Sequence, residues 1–313
     1  SSLKQPIIFT LQGFLLPKEV TYPLFVLTLL IYTTLVAGNG IVFVVILIEK
    51  KLHEPMYIMV CNLVVCVLLN PTLYLNLLTI MHMQISLPSV PIYKNRSVLS
   101  SFLCNIYGAA AQTILSIMAY DRYVAICEPL RYHTIMSTGK LIALCSIAWG
   151  IAVILILILF IMNVTVPLCG TLILHVYCSN ASILRLACVD ITVNNIYGLC
   201  ITWILSTGSF LVIAFCYVKI LIACLIKRAN NSKTKAIQTC SSHLTVYVIF
   251  EIAMLFLVIS QRFEQVSPNV KKFCSILYVV FPPTFNPIMY GINTKEIRKH
   301  IVKQFKYSQI IQK

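Results

Sequence analysis

The chain has 313 residues, 59% of them hydrophobic and only 11% charged, whereas a soluble globular chain carries about 25% charged residues. A water-soluble fold of this length has too little interior for so much apolar surface, which excludes a soluble domain and makes the bilayer the solvent. The net charge of +15 marks no nucleic-acid partner: Lys and Arg lie between the apolar runs, and no basic stripe alternates with aromatics as strand binding requires.

Residues 1–22 lack a basic start, an apolar core and a small-residue cleavage site, so the first span is expected to serve as its own insertion signal. Seven apolar stretches follow, near 23–48, 56–80, 98–125, 141–162, 196–226, 238–261 and 272–291. Crossing about 30 Å of hydrocarbon takes about 20 helical residues. Clusters such as Glu49-Lys50-Lys51 and Ser267-Pro268-Asn269 separate the stretches, and a β-barrel would show short alternating segments instead. The predicted fold is an all-α membrane protein: a seven-transmembrane helix bundle over 23–291, with 1–22 outside. The remainder, 292–313, forms a cytoplasmic tail in which a short basic amphipathic helix over 294–306 lies on the membrane surface.

Loop charge sets the orientation. With the N-terminus outside, 16 of the 24 Lys and Arg residues face inward, near 50, over 122–140, over 219–235 and from 295 onward; eight face outward. This bias predicts a multi-pass plasma-membrane protein with an extracellular N-terminus and a cytoplasmic C-terminus, its basic loops against anionic lipid. The longest connection, 163–195, then lies outside with Cys169, Cys178 and Cys188, where disulfides persist. Three is an odd number, so one thiol stays free or pairs elsewhere. The other ten cysteines lie in or near apolar spans and read as small hydrophobes.

The third span ends in Met118-Ala119-Tyr120-Asp121-Arg122-Tyr123-Val124-Ala125-Ile126-Cys127, followed by Glu128-Pro129-Leu130-Arg131-Tyr132. Further blocks are Leu52-His53-Glu54-Pro55-Met56-Tyr57, then Lys235-Ala236 through Thr239-Cys240 to His243-Leu244, and Asn286-Pro287-Ile288-Met289-Tyr290. Together these resemble the odorant receptor branch of the rhodopsin-like G protein-coupled receptors. Gln261-Arg262-Phe263, Ile220 to Leu225 and Gly291 to Arg298 resemble its fish-like subdivision. The resemblance implies that a small-molecule odorant binds in the outer half of the bundle and activates a stimulatory, olfactory-type heterotrimeric G protein, raising cAMP.

It also assigns roles. Asp121 beside Arg122 holds the guanidinium in a paired state at the membrane edge, in keeping with charge-assisted bonding; the alternative is an interfacial pair without a switch. Tyr217 and Tyr290 would close around Arg122 when helix 6 swings out, Tyr123 and His243 belong to the coupling region, and Asn286-Pro287 would kink helix 7. Asn105, Gly108, Ala109 and Gln112 match positions where the family contacts ligand, although small residues there serve close helix packing equally well. Cys169 and Cys188 form the within-loop disulfide candidate. Cys178 has no assigned partner, because Ser97 stands where the family carries the cysteine that ties helix 3 to this loop. Cys104 lies about 10 Å deeper, beyond the usual reach of about 6.8 Å between bridged α carbons. Val67 replaces the Asp that helps hold sodium, so no metal site is expected.

Glu251 is the one ionisable side chain deep within a span, a position costing about 2.5–3.5 kcal/mol on insertion scales. It either faces a ligand, pairing with an amine or donating a hydrogen bond when protonated, or is a neutral carboxyl bonded to a neighbouring helix. The family usually carries Tyr there. Arg262 lies eleven residues on, on the same face about 16 Å away, with Leu255 and Val258 between. That stripe fits an apolar ligand with an acidic end near Arg262, and the matching Arg of the fish-like subdivision is associated with carboxylates. The alternative is an interfacial Arg facing water or lipid phosphate. Asn95-Arg96-Ser97 and Asn180-Ala181-Ser182 are outer glycosylation candidates.

No P-loop, metal-ligand cluster or nucleophile constellation appears, so neither an enzyme nor a cofactor is expected. A transporter would show repeated halves and charged routes, of which only Glu251 fits. A peptide or amine receptor would keep the same fold.

Overall fold

Helix formation follows the apolar runs and overshoots them. The computed structural model describes residues 7–12, 17–68, 90–226, 231–263, 265–287 and 297–300. The long helices are α1 (Lys18–Ile48), α2 (Pro55–Leu68), α3 (Lys94–Cys127), α4 (Thr138–Val164), α5 (Thr192–Ile226), α6 (Asn231–Arg262) and α7 (Pro268–Pro287). Most begin three to seven residues before the apolar stretch that predicts them. The stretch measures hydrocarbon thickness, whereas backbone hydrogen bonding continues into the interface. Asp190 fixes one such early start: its Oδ1 accepts from the backbone N–H and the hydroxyl of Thr192, at 2.9 and 2.6 Å, bonds that also lower its carboxyl.

α1, α3, α4, α5 and α6 are each long and apolar enough to cross a membrane, and α2 is a shorter apolar helix over its described residues. α7 carries Lys271, Lys272 and four prolines. The expected continuations of the second span to 80 and the seventh to 291 lie outside the described residues. Of the C-terminal amphipathic helix only Ile297–His300 is described, and it is helical.

α3 is the central helix. It packs against α2, α4, α5 and α6, while α7 packs on α6 and α1. Gly108, Ala109, Ala110 and Ala111 are all buried, and such small side chains let neighbouring backbones close in. α4 and α5 turn apolar stripes outward: Ile147, Ile154 and Ile161 on one, Trp203 and Phe210 on the other. A soluble monomer rarely tolerates apolar patches on that scale; lipid accommodates them.

Buried and half-buried polar groups tie the bundle together. Asn39 on α1 donates to the carbonyl of Pro283 at 3.1 Å. Pro287 has no N–H, so it cannot serve that carbonyl four residues back, and the asparagine supplies the missing donor. Trp149 Nε1 donates to Asn62 Oδ1 at 3.1 Å, linking α4 to α2.

One end of the bundle carries a small sheet that the expectation of an all-α chain does not include. β1 (Ile8–Leu11) pairs antiparallel with β2 (Val90–Tyr93) and parallel with β3 (Leu172–Ile173). Phe9, Leu11, Val90, Ile173, Cys178 and Leu184 form an apolar cluster with it. Cys169 and Cys188 are disulfide-bonded, with α carbons 5.5 Å apart. This sheet end lies opposite the end that carries Arg122.

Candidate functional site

Two regions hold the predicted site residues, one towards each end. At the sheet end, a cavity of about 810 Å³ opens among α3, α4, α5, α6, α7 and the 165–191 connection. Asn105, Gly108, Ala109 and Gln112 of α3 and Val258 and Arg262 of α6 line it. Arg185 and Lys271, which sequence reasoning gives no role, join Arg262 on its wall, and among the described residues the lining contains no Asp or Glu. Arg185 is held from behind, its Nη2 donating to the carbonyl of Gln261 at 2.9 Å. Its position depends on the disulfide and on the short helix Asn180–Leu184, which Ser179 caps by accepting from the N–H of Ser182.

Glu251 and Leu255 fall elsewhere. Both line a second, smaller groove of about 350 Å³ between α5 and α6, which shares Thr202, Met254 and Val258 with the large cavity. The face expected to run unbroken from Glu251 to Arg262 is therefore divided between two spaces. The Glu251 carboxylate accepts from Gln112 Nε2 at 3.0 Å, Ser206 Oγ at 2.7 Å and Ser209 Oγ at 3.4 Å. Gln112 Nε2 also donates to Ser206 Oγ at 2.9 Å. The carboxyl thus joins α3, α5 and α6, and Gln112 belongs both to this junction and to the cavity wall. Ser206 and Ser209 stand three residues apart on one helical face, a spacing too common in sequence to mark them as its partners.

Above the cavity, His175 lies 4% exposed with Nε2 3.1 Å from Ser275 Oγ and 3.2 Å from Gln261 Nε2. Burial, with Lys272 and Arg185 nearby, pushes the imidazole down to about 3. Cys178 is free and buried. Burial pushes its thiol up to about 11, opposed by the Ser97 hydroxyl beside it. Cys104 is free, buried and on the cavity wall. Asn95 is exposed at the start of α3, whereas Asn180 lines the cavity and its Oδ1 accepts from Asn163 at 2.6 Å.

At the other end, Arg122 donates through Nε (3.0 Å) and Nη2 to Oδ2 of the fully buried Asp121. Tyr132 donates to the other carboxylate oxygen at 2.8 Å. Burial, then the Asp121 carboxylate, raise the Tyr132 phenol. Tyr217 joins α5 to α6: its hydroxyl donates to the Cys240 carbonyl at 2.9 Å and lies 2.8 Å from His243 Nδ1, the two rings stacked. Tyr123 packs beside Tyr120 and Phe215. Asn286 and Pro287 end α7, and Tyr290 lies outside the described residues. Val67 is buried among apolar side chains, and no three His, Cys, Asp or Glu side chains converge among the described residues.

A paired arginine at one end, a cavity at the other and a central third helix between them invite comparison with known receptors. Squid rhodopsin superposes with a TM-score of 0.68 at 18% identity, over 94% of this chain and 87% of that one; at that identity the likeness shows the seven-helix fold. Human olfactory receptor 52B2 is 35% identical over 308 residues, 96% of this chain and 93% of the relative. Human olfactory receptor 52D1 is 35% identical over 280 residues, 87% of this chain and 86% of the relative. Residues 28–308 match the family described as Olfactory receptor. Fold, motif positions and relatives agree over nearly the whole length, and the chain belongs to the olfactory receptor family of seven-helix membrane receptors.

Proposed function

We propose that this receptor takes a small carboxylate into the sheet-end cavity, with that end outside the cell, and activates a stimulatory heterotrimeric G protein at the Arg122 end, raising cAMP. The observation that carries the reading is the charge of the cavity wall: Arg185, Arg262 and Lys271, with no carboxylate in the lining among the described residues. A ligand pocket needs mostly apolar walls and a few polar anchors, and an anion is the partner these anchors favour; a planar guanidinium matches a carboxylate with two parallel hydrogen bonds.

Transmission follows the shared residue. A ligand against Gln112 bears on the amide that holds Glu251 and Ser206, and so on the joint of α3, α5 and α6. Loosening that joint frees α6 to move away, releases Tyr217 from His243 and the Cys240 carbonyl, and opens the space into which Arg122 turns once it leaves Asp121. The ligand acts by preferring the open packing to the closed one. Asn95 is the glycan site this reading favours, because a sugar on Asn180 would project into the cavity.

The test is a cAMP screen of short carboxylic acids, matched amines and aldehydes on wild type and Arg262→Ala at equal surface level. The expected result is a response to acids that Arg262→Ala weakens at least about tenfold, the scale of one charge-assisted hydrogen bond. Unchanged acid responses in Arg262→Ala, or a response to amines alone, would refute it.

A further inference from the structure

The cavity wall carries two polar groups that a bare carboxylate leaves unused. Tyr278 on α7 lines the cavity and is 7% exposed, and its hydroxyl has no hydrogen-bond partner among the described residues. Its position is set by Gly108: a Cβ there would collide with the hydroxyl, so the oxygen rests directly on the α3 backbone. Asn105 lies one turn away on the same helical face, where residues three apart stand about 5–6 Å from each other. Its Nδ2 donates to the Ser101 carbonyl at 2.8 Å, and its Oδ1 has no partner among the described residues. The hydroxyl of a buried tyrosine and the amide oxygen of a half-buried asparagine, both unpaired among the described residues, thus share one cavity wall where a ligand can reach them.

We infer that Tyr278 and Asn105 form a second anchor for an uncharged oxygen function on the ligand, and that the favoured ligands are hydroxy or oxo acids over alkyl acids of equal length. This rests on the carboxylate reading above, in which Arg185, Arg262 and Lys271 hold the acid. The inventory of donors fits: a ligand hydroxyl accepts from the Tyr278 O–H and donates to Asn105 Oδ1, whereas an oxo group accepts from Tyr278 and has no hydrogen to give Asn105 Oδ1. The same cavity wall also carries small and apolar side chains, among them Cys104, Ala109 and Leu205. A site built to bond an oxygen penalises the analogue that lacks it, since its own polar groups are left unpaired.

The experiment measures half-maximal concentrations for hydroxy, oxo and alkyl acids of matched length, together with neutral alcohols and the corresponding alkanes. The receptors are wild type, Tyr278→Phe and Asn105→Ala, matched for surface level. Wild type is expected to favour hydroxy over alkyl acids about tenfold, the worth of one to two hydrogen bonds. Tyr278→Phe should bring that ratio close to one, and Asn105→Ala should lower it for hydroxy acids while sparing the preference for oxo acids. An unchanged ratio in Tyr278→Phe, with acids still active, overturns the second anchor and leaves the carboxylate reading standing. A Tyr278-dependent preference for neutral alcohols, with no response to any acid, overturns the carboxylate reading and supports the second anchor.

Discussion

His175 shows how far the fold alters a single side chain. In solution an imidazole gains a proton near neutrality; here burial and the charges of Lys272 and Arg185 hold it down to about 3. The unfolded chain therefore binds a proton below about 6.5 that the folded chain refuses. Stability from this group is complete above the unfolded value and falls as pH drops towards the folded one. Between pH 6.5 and 5 the loss is about 2 kcal/mol. Thermal melts of purified receptor should show wild type losing more stability than His175→Gln on going from pH 7 to 5; parallel losses would remove His175 from the account. Nothing around Leu174-His175-Val176 announces this, because the pocket that receives His175 is assembled from Ser275 and Gln261, about a hundred residues away. Asp121 and Arg122 were legible because the pair is local, adjacent in sequence and in space.

Three helices, α3, α5 and α6, meet at Glu251. Replacing it with Leu strands the Ser206 hydroxyl and takes one acceptor from Gln112 Nε2 and Ser209 Oγ, which keep their bonds to Ser206. If the joint holds the closed packing, losing about 1 kcal/mol of net hydrogen bonding shifts the equilibrium about fivefold towards the open form. Glu251→Leu is thus expected to raise ligand-free cAMP about that much, while Glu251→Gln, which keeps an accepting oxygen, stays nearer wild type. Equal basal signalling in all three receptors would dissolve the joint. Sequence flagged Glu251 by depth alone and left open whether it meets ligand or helix. Its partners were hidden because Ser206 and Ser209 are unremarkable polar residues until α5 is rotated against α3. The apolar runs located the helices well and missed their first turns, which extend beyond the hydrocarbon and so leave no apolar mark.

At the scale of the whole molecule, α3 reaches from the cavity to Asp121 and Arg122 and packs on most of its neighbours, so a displacement at one end has a continuous body to act through. The bundle was readable from composition and spacing because lipid imposes one requirement on every span. The sheet was not. Its strands are two to four residues long and pair across more than 75 residues of chain, with neither alternation nor length to signal them. That sheet and the 169–188 disulfide set the path of the connection that brings Arg185 to the cavity, which is why the cationic wall was half visible beforehand: Arg262 at a helix end, but not Arg185 or Lys271.

The central claim is that acid binding at the sheet end reaches the G protein only through Arg122. It is tested by measuring, in the same cells, binding of a radiolabelled active acid and the cAMP it evokes, for wild type and Arg122→Ala at equal surface level. The prediction is acid binding in both and a cAMP rise in wild type alone. An undiminished cAMP rise in Arg122→Ala would contradict it.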